Sequence, residues 1–151
     1  MLINQKQMDY LKLENQACFP LYALSRVLTA HYKPLLDKID LTYPQYLVML
    51  VLWEHQQLSV KAIGEKLLLD SGTLTPLLKK LESKNLVSRK RTEADERIVM
   101  ISLTKNGAAL KEKAALVPES FMCSLNLNME EMKALRDGIN NLLERTKQNN
   151  K

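Results

Sequence analysis

The chain has little cysteine, histidine, glycine or proline: its 151 residues include two cysteines, two histidines, four glycines and five prolines. The histidines, His31 and His55, stand far apart and neither shares a ligand spacing with a cysteine, which argues against a zinc site. A glycine-rich phosphate loop is missing, and no Ser, His and Asp set stands out. No enzyme activity and no cofactor are expected. The N-terminal stretch MLINQKQMDYLKLENQ does not follow the basic-then-apolar pattern of a secretory signal. The richest apolar run, Tyr46 to Trp53, falls well short of the roughly 20 residues that span a bilayer. A reducing cytoplasm, without a membrane partner, is the expected location, and there Cys18 and Cys123 rest as thiols.

Composition points to one ordinary domain, with a hydrophobic fraction of 46% and a charged fraction of 26%. Lys and Arg outnumber Asp and Glu by 22 to 17, which suits a polyanionic partner without requiring one. The scarcity of glycine and proline goes with long segments at helical spacing.

A first helix is expected from about Asn15 to Lys38, with Pro20 in its opening turn and Pro34 bending or shortening its end. A second starts at Thr42, with Gln45 reaching back to form a capping box. A short helix from Ser59 to about Leu67 is followed by a break at Asp70, Ser71 and Gly72. In the next helix Leu74, Leu77, Leu78 and Leu81 form one apolar stripe. Pro76 fits there if Thr73 is the cap, and otherwise should kink the helix. VSRKRT and IVMISLT then flank the charged turn EADER as a hairpin. Thr104 begins a helix that ends near Pro118, and Asn128 with Glu131 caps a last helix reaching about Lys147.

The fold class expected is therefore mainly α with a small β hairpin, a winged helix-turn-helix. Its second helix turns leucines inward and offers small hydroxyls and lysines outward, which suits a major groove about 12 Å wide. Ser71, Thr73, Thr75, Pro76, Lys79 and Lys80 are the candidate readers of double-stranded DNA. Arg89, Arg91 and Arg97 lie on or beside the hairpin, where they can grip phosphates or enter a minor groove.

ENQACFPLYALSR, YKPLLDKIDLTYPQYLVMLVLWE, LLLDSGTLTPLLKKLESKNLVSRKRTEADER and ISLTKNG resemble the MarR family of winged-helix repressors, and within it the organic-hydroperoxide sensors of the OhrR type. The resemblance implies one MarR-type domain over 1–151, with dimerisation helices at about 1–40 and 104–147 around a winged helix-turn-helix at about 42–103. It implies a homodimer on an inverted-repeat operator, with Arg97 in the minor groove and Asp95 bracing it. It makes Cys18 the redox-sensing thiol, with Tyr22, Tyr32 and Tyr43 as hydroxyls around the sulfur and an organic hydroperoxide as inducer. A thiol at a helix N-terminus sits in a positive partial charge that favours thiolate, the form that attacks an O–O bond. Cys123 is the candidate resolving thiol, and the alternative is a spectator beside Met122 and Leu125.

Two other readings stay open at this level. One is a MarR-type repressor released by a small aromatic ligand; the other is a thiol peroxidase with Cys18 as nucleophile.

Overall fold

In the computed structural model, which describes residues 9–16, 18–93, 95–126 and 128–148, seven α-helices accompany a small three-stranded sheet. They are α1 (Cys18–Asp37), α2 (Tyr43–His55), α3 (Val60–Leu67), α4 (Ser71–Ser83), α5 (Lys105–Ala114), α6 (Val117–Leu125) and α7 (Met129–Gln148). The strands are β1 (Gln57–Ser59), β2 (Val87–Arg91) and β3 (Val99–Leu103). The sheet is antiparallel in the order β1-β3-β2, with Arg89 opposite Ile101 and Leu58 opposite the same residue on the other side.

Several helix starts follow from side chains legible in the sequence. Thr42 N–H donates to Gln45 Oε1 at 3.1 Å, so Gln45 is buried without losing its hydrogen bond. Ser59 Oγ accepts from Ala62 N–H at 3.1 Å, and Asn128 and Glu131 exchange two bonds of 2.9 Å. Each pair satisfies donors that a helix N-terminus leaves free.

Three expectations need correction. The cap of α4 is Asp70, not Thr73: its Oδ1 accepts from Thr73 N–H at 2.9 Å and its Oδ2 from Thr73 Oγ1 at 2.8 Å. A carboxylate can take both donors at once, so the helix begins one turn earlier and runs through Pro76 in its second turn. Pro118 opens α6 where a helix end was expected, because its missing N–H costs nothing in a first turn. The hairpin also gains a third strand, β1, too short to show a period of its own.

The core gathers Leu36, Val48, Met49, Leu52, Ile63, Leu74, Leu78, Leu81 and Ile101, contributed by α1 to α4 and the sheet. Trp53 Nε1 donates to the Gly107 carbonyl at 2.8 Å and so fastens α2 to α5. Gly107 is required there, since a Cβ would lie 1.9 Å from the Leu86 carbonyl oxygen. By contrast, among the described residues α7 has none buried, and α1 buries Leu36 alone.

Candidate nucleic-acid interface and thiol site

The outward side of α4 carries the residues singled out as readers. Ser71, Thr73, Pro76, Lys79 and Lys80 are exposed and Thr75 is half-buried. Asp70 holds Thr73 in place, and its two bonds to Thr73, backbone first, keep its carboxyl below the usual range. Thr75 Oγ1 donates to the Ser71 carbonyl at 2.6 Å. Both threonine protons are thus spent on local bonds, which leaves each hydroxyl oxygen with acceptor capacity only.

The wing tip is a closed turn. Thr92 Oγ1 donates to the Asp95 carbonyl at 2.7 Å, and Ile98 N–H donates to that same carbonyl at 2.9 Å. Arg97 Nε and Nη2 reach the two Asp95 carboxylate oxygens at 3.1 and 3.4 Å, and this ion pair holds the Asp95 carboxyl below its usual range. The arginine side chain remains 92% exposed, which leaves it braced and open to a ligand. It also lines a cleft of about 520 Å³ with Lys61 and Glu65 of α3 and Ser71 of α4. Lys61 was not singled out from the sequence, because a single lysine on an amphipathic helix carries no signal.

Arg91 is exposed at the end of β2, whereas Arg89 turns inward. Its side chain is only 23% exposed, Nη1 lies 3.8 Å from Glu82 Oε2, and Nε has no partner among the described residues. Arg89 therefore braces the sheet against α4 and is not free to reach outward as Arg91 is.

Cys18 is the first residue of α1, exposed and free; the residue before it lies outside the described ones. Phe19, Leu21 and Tyr22 beside it are exposed as well, an apolar surface around the sulfur. Tyr22 stands one turn along, its hydroxyl accepting from Arg26 Nη1 at 3.0 Å, with the guanidinium over its ring.

Tyr32 and Tyr43 are elsewhere. Their rings meet at 4.8 Å in an aromatic cluster with Tyr46, and Phe121 stacks on Tyr32 at 3.9 Å. Burial, with Tyr43 and Tyr46 adding to it, pushes the Tyr32 hydroxyl up to about 12, and burial raises Tyr43 too. Both stay protonated donors at any ordinary pH. At 1.5 Å per residue, Tyr32 lies roughly 21 Å along α1 from Cys18. One chain therefore does not assemble a site from Cys18, Tyr32 and Tyr43.

Cys123 is free and exposed on α6, which packs on the far part of α1: Ser124 Oγ is 3.5 Å from His31 Nδ1. His31 sits roughly 20 Å along the helix from Cys18. A disulfide needs Cα atoms within about 7 Å, so Cys18 and Cys123 of one chain are not paired partners.

A family model described as "Transcriptional regulator SarA/Rot" matches residues 30–114. The chain is 53% identical over 146 residues to the organic hydroperoxide resistance transcriptional regulator of Bacillus subtilis, covering 97% of this chain and 99% of that protein. Among solved structures, AbfR bound to DNA, both reduced and overoxidized, is 36% identical over 95% of this chain and 99% of that one, with a TM-score of 0.74. Disulfide-formed AbfR covers 95% of each chain at 35% identity, with a TM-score of 0.60. A MarR variant from E. coli with operator DNA is 25% identical over 82% of this chain and 90% of that one, with a TM-score of 0.73. With the winged helix-turn-helix, the capped α4 and the braced arginine already in view, the chain belongs to the MarR and SarA/Rot group of winged-helix transcriptional regulators and is of the organic-hydroperoxide-regulator type.

Proposed function

We propose that the protein is a redox-sensing repressor that holds an inverted-repeat operator as a homodimer while Cys18 is reduced. The observation that carries this reading is the pairing, in one chain, of an exposed thiol at a helix start with an outward-facing α4 and a braced Arg97. Ser71, Thr73, Thr75 and Pro76 meet base edges, the threonine oxygens accepting from exocyclic amino groups, while Lys79, Lys80 and Arg91 meet phosphates. Arg97 enters the minor groove, oriented by Asp95.

A second copy accounts for two features that one chain leaves open. On α7, Leu135, Ile139 and Leu142 are exposed at heptad spacing, and Phe19, Leu21 and Val27 on α1 are exposed as well. If copies pair along these helices in opposite senses, Cys18 of one meets the Tyr32 and Tyr43 end of the other.

The Cys18 thiolate attacks an organic hydroperoxide, the O–O bond breaks, and the leaving alkoxide takes a proton to become an alcohol. The sulfur is left as a sulfenic acid. The Cys123 thiol of the second copy then displaces water from it, forming the disulfide. The apolar surface around Cys18 favours an alkyl peroxide over hydrogen peroxide. Release belongs to the disulfide step in this reading: the AbfR structures with DNA are the reduced and overoxidized forms, and the present fold is less similar to the disulfide form.

Fluorescence anisotropy on the upstream DNA tests this, with cumene hydroperoxide and hydrogen peroxide as titrants. Wild type should leave at low organic peroxide, and Cys18→Ser should stay bound. Cys123→Ser should be oxidised and yet stay bound. Equal release of wild type and Cys18→Ser would refute the thiol mechanism and favour a ligand-released repressor.

A further inference from the structure

The basic residues around α4 do not all face the same way, and Lys84 turns away from the reading surface. It closes the C-terminal end of α4, its N–H donating to the Lys80 carbonyl at 3.2 Å, and its side chain is only 28% exposed. The ammonium donates to the backbone carbonyl of Asp40 and lies 3.0 Å from Asp40 Oδ1. Asp40 belongs to the corner between α1 and α2, where it holds φ at 52°, a left-handed conformation in which glycine is the usual residue. Two further ties meet the same end of the helix: Thr104 Oγ1 donates to the Asn85 carbonyl at 2.7 Å, and Arg89 reaches Glu82. Among the described residues the side-chain bonds of the first turn of α4, by contrast, are made among Asp70, Ser71, Thr73 and Thr75.

Leu74, Leu78 and Leu81 pack α4 along its length, while its polar side-chain ties to the rest of the fold gather at the C-terminal end. Ser71 stands roughly 20 Å from Lys84 along the axis, so a small rotation at the anchor becomes a displacement of ångströms at the reading end.

We propose that Lys84 is a positioning residue for DNA recognition: through Asp40 it fixes α4 to the end of α1, the helix that begins with Cys18, and it makes no contact with DNA. The proposal rests on the DNA-binding reading above and adds the joint by which the thiol-bearing helix holds the reading helix. Asp40 is the other half of the joint. Its carboxylate is largely exposed, so the bond to its carbonyl counts for more than the screened ion pair.

The test uses the full-length reduced protein as wild type, Lys84→Met, Lys84→Arg and Asp40→Asn, each checked for folding by thermal melt. Operator affinity is measured across salt concentrations. Lys84→Met should weaken specific binding about fivefold to tenfold with the salt slope unchanged, since no phosphate contact is lost. Lys84→Arg, which keeps a donor to both Asp40 oxygens, should recover most of the loss. Asp40→Asn should also weaken binding, by less, although removing a negative charge ordinarily tightens binding to DNA.

A slope smaller by about 1 in Lys84→Met would mean a phosphate contact and overturn the proposal. So would tighter binding by Asp40→Asn, or wild-type affinity in Lys84→Met. Hydrogen exchange reads the joint without DNA: amides of residues 84–86 and 39–41 should exchange faster together in Lys84→Met. If wild type bound no operator while this joint effect appeared, the repressor reading would fail and the tie would stand. Unchanged exchange would remove the tie itself.

Discussion

The winged helix-turn-helix and the helices that flank it solve the problem of burial in opposite ways. From Leu36 to Ala114 the chain covers most of its own apolar residues, with α2, α3 and α4 packed around Leu52, Ile63, Leu78 and Ile101 at 0% exposure. The flanks do not. Met129, Leu135, Ile139, Leu142 and Leu143 of α7 all stay exposed, although most helical stability in proteins comes from packing an apolar face. The difference teaches that the winged head is a unit with its own core, while the flanks are half of a structure whose other half we assign to a second copy. A sensor benefits from that division, because chemistry at an interface can move whole heads relative to each other without unfolding either.

The comparison can be broken most severely from inside the head. Gly107→Ala pushes a methyl into the Leu86 carbonyl, where two backbones pinned by Trp53 and Thr104 have no room to part. It should cost about 3 kcal/mol or more in urea unfolding, as overpacking against fixed backbone does. A loss below about 1 kcal/mol would mean that α5 is held less firmly than these contacts indicate.

Next comes a change that should spare the head. Ile139→Asp with Leu142→Asp charges the exposed stripe of α7 and should shift the protein to monomer in sedimentation equilibrium. Trp53 fluorescence should stay native, and operator affinity should fall about hundredfold as bivalent contact is lost. If the protein remained dimeric, α7 would not be an interface helix.

The smallest effect separates the head's surface bonds from its core. Asp70 and Asp95 are both held below the usual carboxylate range, Asp70 by Thr73 and Asp95 by Arg97. The folded chain therefore takes up these protons less readily than the unfolded chain. Their contribution is full above about pH 4 and is lost as pH falls through the lower folded values. Asp70→Asn keeps a cap but removes the titration, so its stability difference from wild type should shrink between about pH 5 and pH 3. A difference independent of pH would show that the Asp70 charge is not what the cap uses.

Legibility followed the range of the interactions. Thr42 with Gln45, Ser59 with Ala62, and Asn128 with Glu131 act across three residues, and each was readable because its partner is written beside it. The leucine stripe of α4 and the hairpin were readable for the same reason. Asp70 and Thr73 are both good caps in sequence, and only geometry shows one carboxylate taking two donors. Pro118 read as a stop because proline is as common after a helix as in a first turn. Strand β1 needed β3 to exist, and Arg89 looked like its neighbours Lys90 and Arg91 until α4 was laid over it.

What the sequence determined by itself was the order of the longer elements, most of their caps and the kind of surface each offers, since these rest on bonds and periodicities within a few residues. Only the tertiary structure decided which charges are free. Arg97 is braced but open, Arg89 is drawn inward, and Lys84 is committed to Asp40, 44 residues away in the chain. It also separated Cys18 from Tyr32 and Cys123, because a helix converts sequence distance into length. Local patterns carry no term for either effect.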